Sequence, residues 1–482
     1  MTFSSLIFLF FFLPITLALY HLGGPRLRNS LLLAASLFFY AWGGIPQLIL
    51  LLGVILVNHL FGLLLQGLAP GRPRRAGLAL GIAANLSLLV YYKYSAFLLG
   101  NINALLPQLH LTPAAPQGAQ IPLGISFLTF HAVSYLVDVA GGRGPGEKNP
   151  LHLALYLALF PKLLSGPILR YSEAAGQLHQ RQHRLEDFAA GVEQFILGLG
   201  KKILIATPLA TMSTHVFGAP IAQFSVGEAW LGILCYSLQI YFDFAGYSDM
   251  AIGLGRMFGF RLPENFNHPY TAQSVREFWQ RWHISLSRWF RDYLYIPLGG
   301  NRHGPWRTYR NLAVVFLLCG LWHGAGWNFI VWGLLHGIFL ILERWRLAAL
   351  LARLPRLLRH GYVLLFLLVS WIFFRSPTLI DACHFLGALL GLGLQPAVHP
   401  WILQDMNAQL NWALTAALLF SLPVMPLLRG LRQRFLGSER TASVLLCRTL
   451  YGGKLLLLMT VLLLSAMELA SGTYTPFIYF QF

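Results

Sequence analysis

Apolar runs of roughly bilayer length recur along this chain from one end to the other, and nothing else in the sequence limits the fold so strongly. The early runs occupy residues 3–22, 30–42, 46–65, 76–99 and 121–140; later ones lie at 151–169, 188–217, 229–258, 312–342, 362–374, 384–394, 410–428 and 455–470. A bilayer crossing takes about 20 apolar residues as helix, and backbone inside hydrocarbon must satisfy its own hydrogen bonds. The expectation is an all-α polytopic membrane protein with about 11 to 13 transmembrane or re-entrant helices plus interfacial helices. Several of the later runs are short or carry Gly, Pro or ionisable residues, so broken helices around a protein-lined cavity are expected in the middle of the chain.

Composition agrees: 56% of the 482 residues are hydrophobic and only 11% charged, far below soluble usage. The excess of 35 Lys+Arg over 17 Asp+Glu, +18 in all, would suggest nucleic acid in a soluble protein. Here it reads as loops facing anionic lipid, with no nucleic-acid partner. Arg26, Arg28, Arg72, Arg74, Arg75, Arg143 and Lys148 fall in the connections 23–29, 66–75 and 141–150, while 43–45 and 100–120 contain no Lys or Arg. By the positive-inside rule the basic connections are cytoplasmic and the N-terminus is outside. No positive residue or A-x-A site marks residues 2–22 as removable, so they are read as a retained first span.

The chain is read as one membrane-embedded domain, 1–482. Spans at 1–140 precede a central core at 151–345, and further spans follow at 360–482. No repeat of two halves is evident. Cys235, Cys319, Cys383 and Cys447 are far apart and sit mostly in apolar runs, which suggests buried thiols rather than disulfides or a metal site. There is no GxxxxGK[ST] loop, HExxH motif or GxSxG elbow, so ATP hydrolysis, zinc-motif chemistry and a hydrolase serine find no support.

Residues 275–293, VREFWQRWHISLSRWFRDY, form an interfacial pattern. On a helical wheel with Arg276 at 0°, Arg291, Arg288 and Arg281 fall at about 60°, 120° and 140°, whereas Phe278, Trp279, Trp282, Leu286, Trp289, Phe290 and Tyr293 lie between about 200° and 320°. A basic face opposite an aromatic one describes a helix in the headgroup plane. His283 sits at the edge of the aromatic arc, where a histidine bonded to backbone is the competing structural reading. The arginines could hold a phosphorylated cytoplasmic ligand or simply contact lipid phosphate.

The stretch 320–340, GLWHGAGWNFIVWGLLHGIFL, carries His323 and His336 inside an apolar run. Ionisable groups at such depth are costly and are functional or paired. Thirteen residues apart, the two imidazoles are about 220° apart on an unbroken helix and need not be partners. Gly320, Gly324 and Gly326 around His323 permit close backbone approach or a local break. A neutral imidazole can accept a hydroxyl proton, worth about 10² to 10⁴ in rate. His323 is therefore read as a general base ahead of a structural role, and His336 as structural ahead of a catalytic one. Asp243 and Asp249 are about 240° apart on a straight helix and are not a carboxylate pair. Each could orient a histidine or satisfy an arginine such as Arg256.

Taken together, IPLGISFLTF (121–130), FPKLLSGPILR (160–170), IYFDFAGYSDMAIGLGRMFGFRLPENFNHPY (240–270), EFWQRWHISLSRWFRDYLYIPLGGNR (277–302) and GLWHGAGWNFIVWGLLHG (320–337) resemble the membrane-bound O-acyltransferase family, in particular its bacterial alginate-type branch. The similarity runs from FSSLIFLFFFLP to the terminal TPFIYFQF. The resemblance implies helices surrounding a central acyl-transfer tunnel, with His323 and His283 catalytic and 151–345 the catalytic core. Trp322, Asn328, Asp243, Asp249, Trp279, Trp282, Arg288 and Asp292 are the expected substrate and donor-tunnel residues, and no metal is expected. It further implies acetyl-CoA as a cytoplasmic donor substrate with no permanently bound cofactor, an exopolysaccharide acceptor such as alginate or cellulose, a periplasmic accessory protein of the SGNH-esterase kind, and residence in the bacterial inner membrane. A D-alanyl transfer subunit, whose donor is a carrier-protein thioester, and a polymer or solute transporter are the alternatives.

Overall fold

The computed structural model describes residues 1–109, 121–220, 225–392, 406–424 and 441–472. Every described secondary-structure element is helical. The terminal TPFIYFQF and most of the connection 100–120 lie outside the described residues. Five helices are long and apolar enough to span a bilayer: Ile45–Gly67, Arg72–Leu105, Leu185–Gly218, Arg356–Arg375 and Thr449–Ala470. Burial separates their surroundings, since 72% of the apolar window of Leu185–Gly218 is covered by protein but only 11% of that of Thr449–Ala470. Large apolar side chains such as Phe11, Leu56 and Leu456 are exposed, while Asn58, Asp138 and His336 are fully buried. That distribution is inverted relative to a water-soluble surface and suits hydrocarbon outside.

The chain packs as two compact units. The first comprises Met1–Val192, Ala251–Pro263 and Arg288–Pro297. Its helix Gly24–Ala41 starts earlier than the apolar run at 30–42, because Pro25 initiates it and Arg26 and Arg28 ride in its first two turns. Helices Ile45–Gly67 and Arg72–Leu89 are joined by a reciprocal amide pair, Asn58 to Asn85, each donating to the other's Oδ1 at 3.0 Å. Both amides also donate to the carbonyl four residues back, at 2.9 and 2.8 Å, so neither remains unsatisfied in the apolar layer. The run 151–169 is divided into Pro150–Ala158 and the single turn Phe160–Leu163 by non-helical backbone at Leu159, with Pro161 at the second position of the turn.

The second unit comprises Glu193–Met250, Glu264–Ser287 and Leu298–Phe482. Here the run 312–342 is two helices, Pro305–His323 and Trp327–Leu342, broken at the glycines beside His323. A Cβ on Gly320 would lie 2.3 Å from the Phe329 carbonyl oxygen, and one on Gly333 would lie 2.3 Å from that of Phe316. Only hydrogen at both positions lets the two backbones touch. Gly198 and Gly246 make a second crossing of the same kind, between Leu185–Gly200 and Val226–Met257. Cys235 and Cys319 are buried thiols as expected, whereas Cys383 is exposed on the outer side of Leu379–Leu389, where Ala382 and Phe385 take the inner face.

Candidate active site

The basic-aromatic segment does not continue as one helix from 275 to 293. It runs as Val275–Arg281, breaks at Trp282 and His283, resumes at Ile284–Phe290 and ends in a wide turn, Arg291–Tyr295. His283 has φ of +43°, a left-handed conformation that a non-glycine residue adopts at a cost of about 1 to 3 kcal/mol and that persists only where its flanks are held. The connection 264–268 provides the hold. Asn267 donates its backbone N–H to the Arg281 carbonyl at 2.9 Å, and Ile284 donates to the Asn265 carbonyl at 3.0 Å. The Asn265 side-chain oxygen accepts from the Ser285 backbone at 3.2 Å and from its hydroxyl at 2.6 Å.

The start of the segment is equally fixed. Ser274 caps Val275–Arg281 by accepting from Glu277 N–H at 3.0 Å, and the buried Glu343 carboxylate accepts from the Val275 and Arg276 amides at 2.7 and 3.0 Å. A carboxylate at a helix N-terminus satisfies otherwise orphaned donors and complements the helix dipole. Despite the break, the faces anticipated from the wheel persist: Phe278, Trp279, Trp282, Leu286, Trp289 and Phe290 are buried, while Arg276, Arg288 and Arg291 are exposed.

His283 is fully buried, and neither of its ring nitrogens has a hydrogen-bond partner among the described residues. Phe244 meets it edge-on at 4.7 Å between centroids, and Trp322 lies 6.1 Å away. Trp322 in turn contacts His323 at 4.7 Å, and Trp332 covers His323 at 4.8 Å. Trp332 also packs on His336 at 4.8 Å, and His336 accepts the Trp279 indole N–H at 3.2 Å. An aromatic row thus links three buried histidines within the second unit. His323 terminates Pro305–His323, where the extended Gly324 turns the chain away; a Cβ on Gly324 would lie 2.1 Å from the Phe329 ring.

The remaining expected residues have separate settings. Trp282 is enclosed by Phe278, Trp371, Tyr241 and Phe266. Asn328 donates to the carbonyls of Phe373 and Ser376 at 3.3 and 2.9 Å, closing the end of Arg356–Arg375. Asp243 pairs with Lys202, and Asp249 pairs with Lys201 at 2.7 Å and accepts from Gln194 at 3.0 Å. Lysine, rather than Arg256, pairs with each aspartate. Consecutive lysines in the wide turn Lys201–Ala206 serve both, brought alongside by the Gly198–Gly246 crossing. Arg288 and Asp292 belong to the first unit, where Arg288 is exposed and Asp292 pairs with Arg170 and, at 2.7 Å, with Arg291. These arginines hold the Asp292 carboxyl below the ordinary carboxylate range against the opposing effect of burial. Reading the residues alone missed Asn265, Glu343 and the two lysines. The only available signal was a Lys pair interrupting the apolar run 188–217, with two aspartates spaced six apart to match it.

The membrane-bound O-acyltransferase family model matches residues 145–374, which include both His283 and His323. The chain is 41% identical to the "probable alginate O-acetylase" of Pseudomonas putida over the whole of both chains. It is 45% identical to the protein of that name from Pseudomonas aeruginosa, over 84% of this chain and 77% of the relative. A peptidoglycan O-acetyltransferase of Helicobacter pylori is 38% identical over 81% of this chain and 80% of its own length. With an apolar helical architecture and full-length relatives of this kind, the chain belongs to the membrane-bound O-acyltransferase family and is an acyltransferase of the membrane.

Proposed function

We propose that this protein passes an acetyl group from cytoplasmic acetyl-CoA across the inner membrane for O-acetylation of an exopolysaccharide, with alginate the first candidate and a periplasmic SGNH-type protein as the receiving partner. The observation that carries this reading is the strained, buried His283 joined through Trp322 to His323, inside the segment matched by the family. His323 takes the proton of the acceptor hydroxyl. The freed oxygen attacks the thioester carbonyl carbon, the carbon–sulfur bond breaks, and the thiolate leaves as CoA to be protonated. His283, uncharged among aromatic rings, positions or assists. Physical chemistry supports delivery from two sides: CoA carries phosphate charges that hydrocarbon excludes, and the polymer lies outside the membrane. By the positive-inside rule the basic connections 23–29, 66–75 and 141–150 favour a cytoplasmic face there and a periplasmic N-terminus.

The test is His323→Ala in cells that acetylate their polymer, with the amount of membrane-inserted protein measured in parallel. The expected result is loss of polymer O-acetyl groups and of acetyl-CoA consumption by membranes at unchanged protein level. Full acetylation in the variant would end the assignment, and acetyl-CoA that is not consumed by wild-type membranes would exclude it as donor.

A further inference from the structure

Three side chains of the first unit converge well away in sequence from His283 and His323. Glu147 comes from the connection 141–149, His152 from the first turn of Pro150–Ala158, and His179 from the last position of Tyr171–His179. One ligand-type atom from each lies within 4.8 Å of the other two. Glu147 Oε2 is 3.1 Å from His179 Nε2, Glu147 Oε1 is 3.7 Å from His152 Nδ1, and the two imidazoles meet edge to face at 4.7 Å.

The cluster is built rather than incidental to a mobile loop. The Glu147 backbone N–H donates to the Tyr135 hydroxyl at 3.2 Å, and Glu147 Oε1 accepts from the Asn149 amide at 3.1 Å. The preceding Gly146 is pressed so closely on Ile45–Gly67 that a Cβ would lie 2.7 Å from Gln66 Oε1 and 3.0 Å from the Gly62 carbonyl. Glu147 itself is 6% exposed. Nδ1 of His152 is buried and has no hydrogen-bond partner among the described residues. The neighbouring cation, Arg181, is engaged elsewhere: it donates to Asn29 at 2.5 Å, to the Gln177 carbonyl at 2.9 Å and to Tyr20 at 3.3 Å.

We propose that Glu147, His152 and His179 bind one divalent transition-metal ion, Zn²⁺ by preference, as a clasp between the 141–149 connection and the end of Tyr171–His179. Two imidazole nitrogens and one carboxylate are a donor set for zinc, whereas Ca²⁺ and Mg²⁺ select oxygen alone. Zinc bonds of about 2.0 to 2.2 Å set tetrahedral ligand atoms roughly 3.3 Å apart. The 3.1 and 3.7 Å separations, made to different oxygens of Glu147, are of that order, so binding through one carboxylate oxygen requires the carboxylate and an imidazole to rotate toward a common point. The His179 side chain is 52% exposed, which leaves a path for the ion and room for water at a fourth position.

The test uses the full-length protein in detergent, stripped with chelator, dialysed and titrated with Zn²⁺ for metal content and with Co²⁺ for the visible bands of a tetrahedral ion. The expected result is about one metal per chain in the wild type and in His303→Ala, an exposed histidine of the other unit, with loss of binding in His179→Ala and Glu147→Gln. Since His179 is half exposed, its removal leaves folding intact, and Zn²⁺ should raise the melting temperature of the wild type but not of His179→Ala. Wild-type protein that retains less than about a tenth of an equivalent, or variants that bind as the wild type does, would show the cluster to be an ordinary histidine–carboxylate contact and overturn the proposal.

Discussion

Trp279 donates its indole N–H to Nδ1 of His336 at 3.2 Å, which fixes the neutral imidazole with its proton on Nε2. The bond joins Val275–Arg281 to Trp327–Leu342 and assigns His336 to architecture. Replacing His336 with Phe keeps an aromatic ring among Phe366, Phe278 and Trp332 but leaves the indole donor buried and unpaired. The expected loss is about 1 to 3 kcal/mol of stability. Thermal unfolding in detergent measures it, with acyl transfer per folded molecule unchanged. A collapse of transfer at wild-type stability would instead move His336 into the chemistry.

His283 and Asn265 allow backbone strain and imidazole chemistry to be separated. Asparagine tolerates the left-handed conformation better than histidine does, so His283→Asn should melt at or above the wild-type temperature and still lose at least about tenfold in turnover. Asn265→Ala releases both bonds to Ser285 and should lower kcat about tenfold with a smaller change in KM, because it loosens a positioning contact rather than a binding one. Asn265→Asp retains the acceptor oxygen and should restore most of that loss. If Asn265→Ala altered only stability, with kcat intact, the positioning role would be withdrawn.

The two lysine–aspartate pairs should respond unequally. Lys202 and Asp243 are both almost fully buried, so Asp243→Asn leaves an ammonium without its counter-charge and should destabilise by about 3 to 5 kcal/mol. Lys202→Met combined with Asp243→Leu removes both charges and should recover most of the loss. Lys201 and Asp249 are more exposed, and Asp249→Asn should have the smaller effect. Folded protein extracted from membranes and its melting temperature would read the difference; equal losses at the two aspartates would contradict it.

Much of this arrangement was legible in the residues. Apolar runs located the helices, and the wheel over 275–293 assigned buried and exposed faces that persist, because side-chain periodicity survives a local break. The glycines around His323 announced the turn that separates Pro305–His323 from Trp327–Leu342. The kink at His283 was not legible, since its cause is the Asn265–Asn267 connection pairing with both flanks, a tertiary effect absent from local pattern. Arg256 was a plausible partner for an aspartate by proximity along one helix. Lys201 and Lys202 prevailed because the Gly198–Gly246 contact brings a second helix closer than any arginine on the first. Glu147 and His179, 32 residues apart, carry no spacing signal at all.

The hairpin bearing His323 depends on hydrogen atoms where other residues have a methyl group. A Cβ at Gly333 would sit 2.3 Å from the Phe316 carbonyl oxygen and 2.9 Å from the Gly320 Cα, both backbone atoms that cannot swing aside. Gly333→Ala must therefore separate Pro305–His323 from Trp327–Leu342, and the Trp332 ring that covers His323 moves with it. Overpacking of this kind costs about 1 to 3 kcal/mol, so a lower melting temperature should come with reduced acyl transfer in the molecules that remain folded. Gly361 provides the comparison, because a Cβ there meets nothing within 4 Å inside Arg356–Arg375. Gly361→Ala should be neutral or stabilising by about 0.5 to 1 kcal/mol through helix propensity alone. Wild-type behaviour of Gly333→Ala would mean that the helices are not in backbone contact, and with that the placement of His323 at the end of a glycine-packed hairpin would fail.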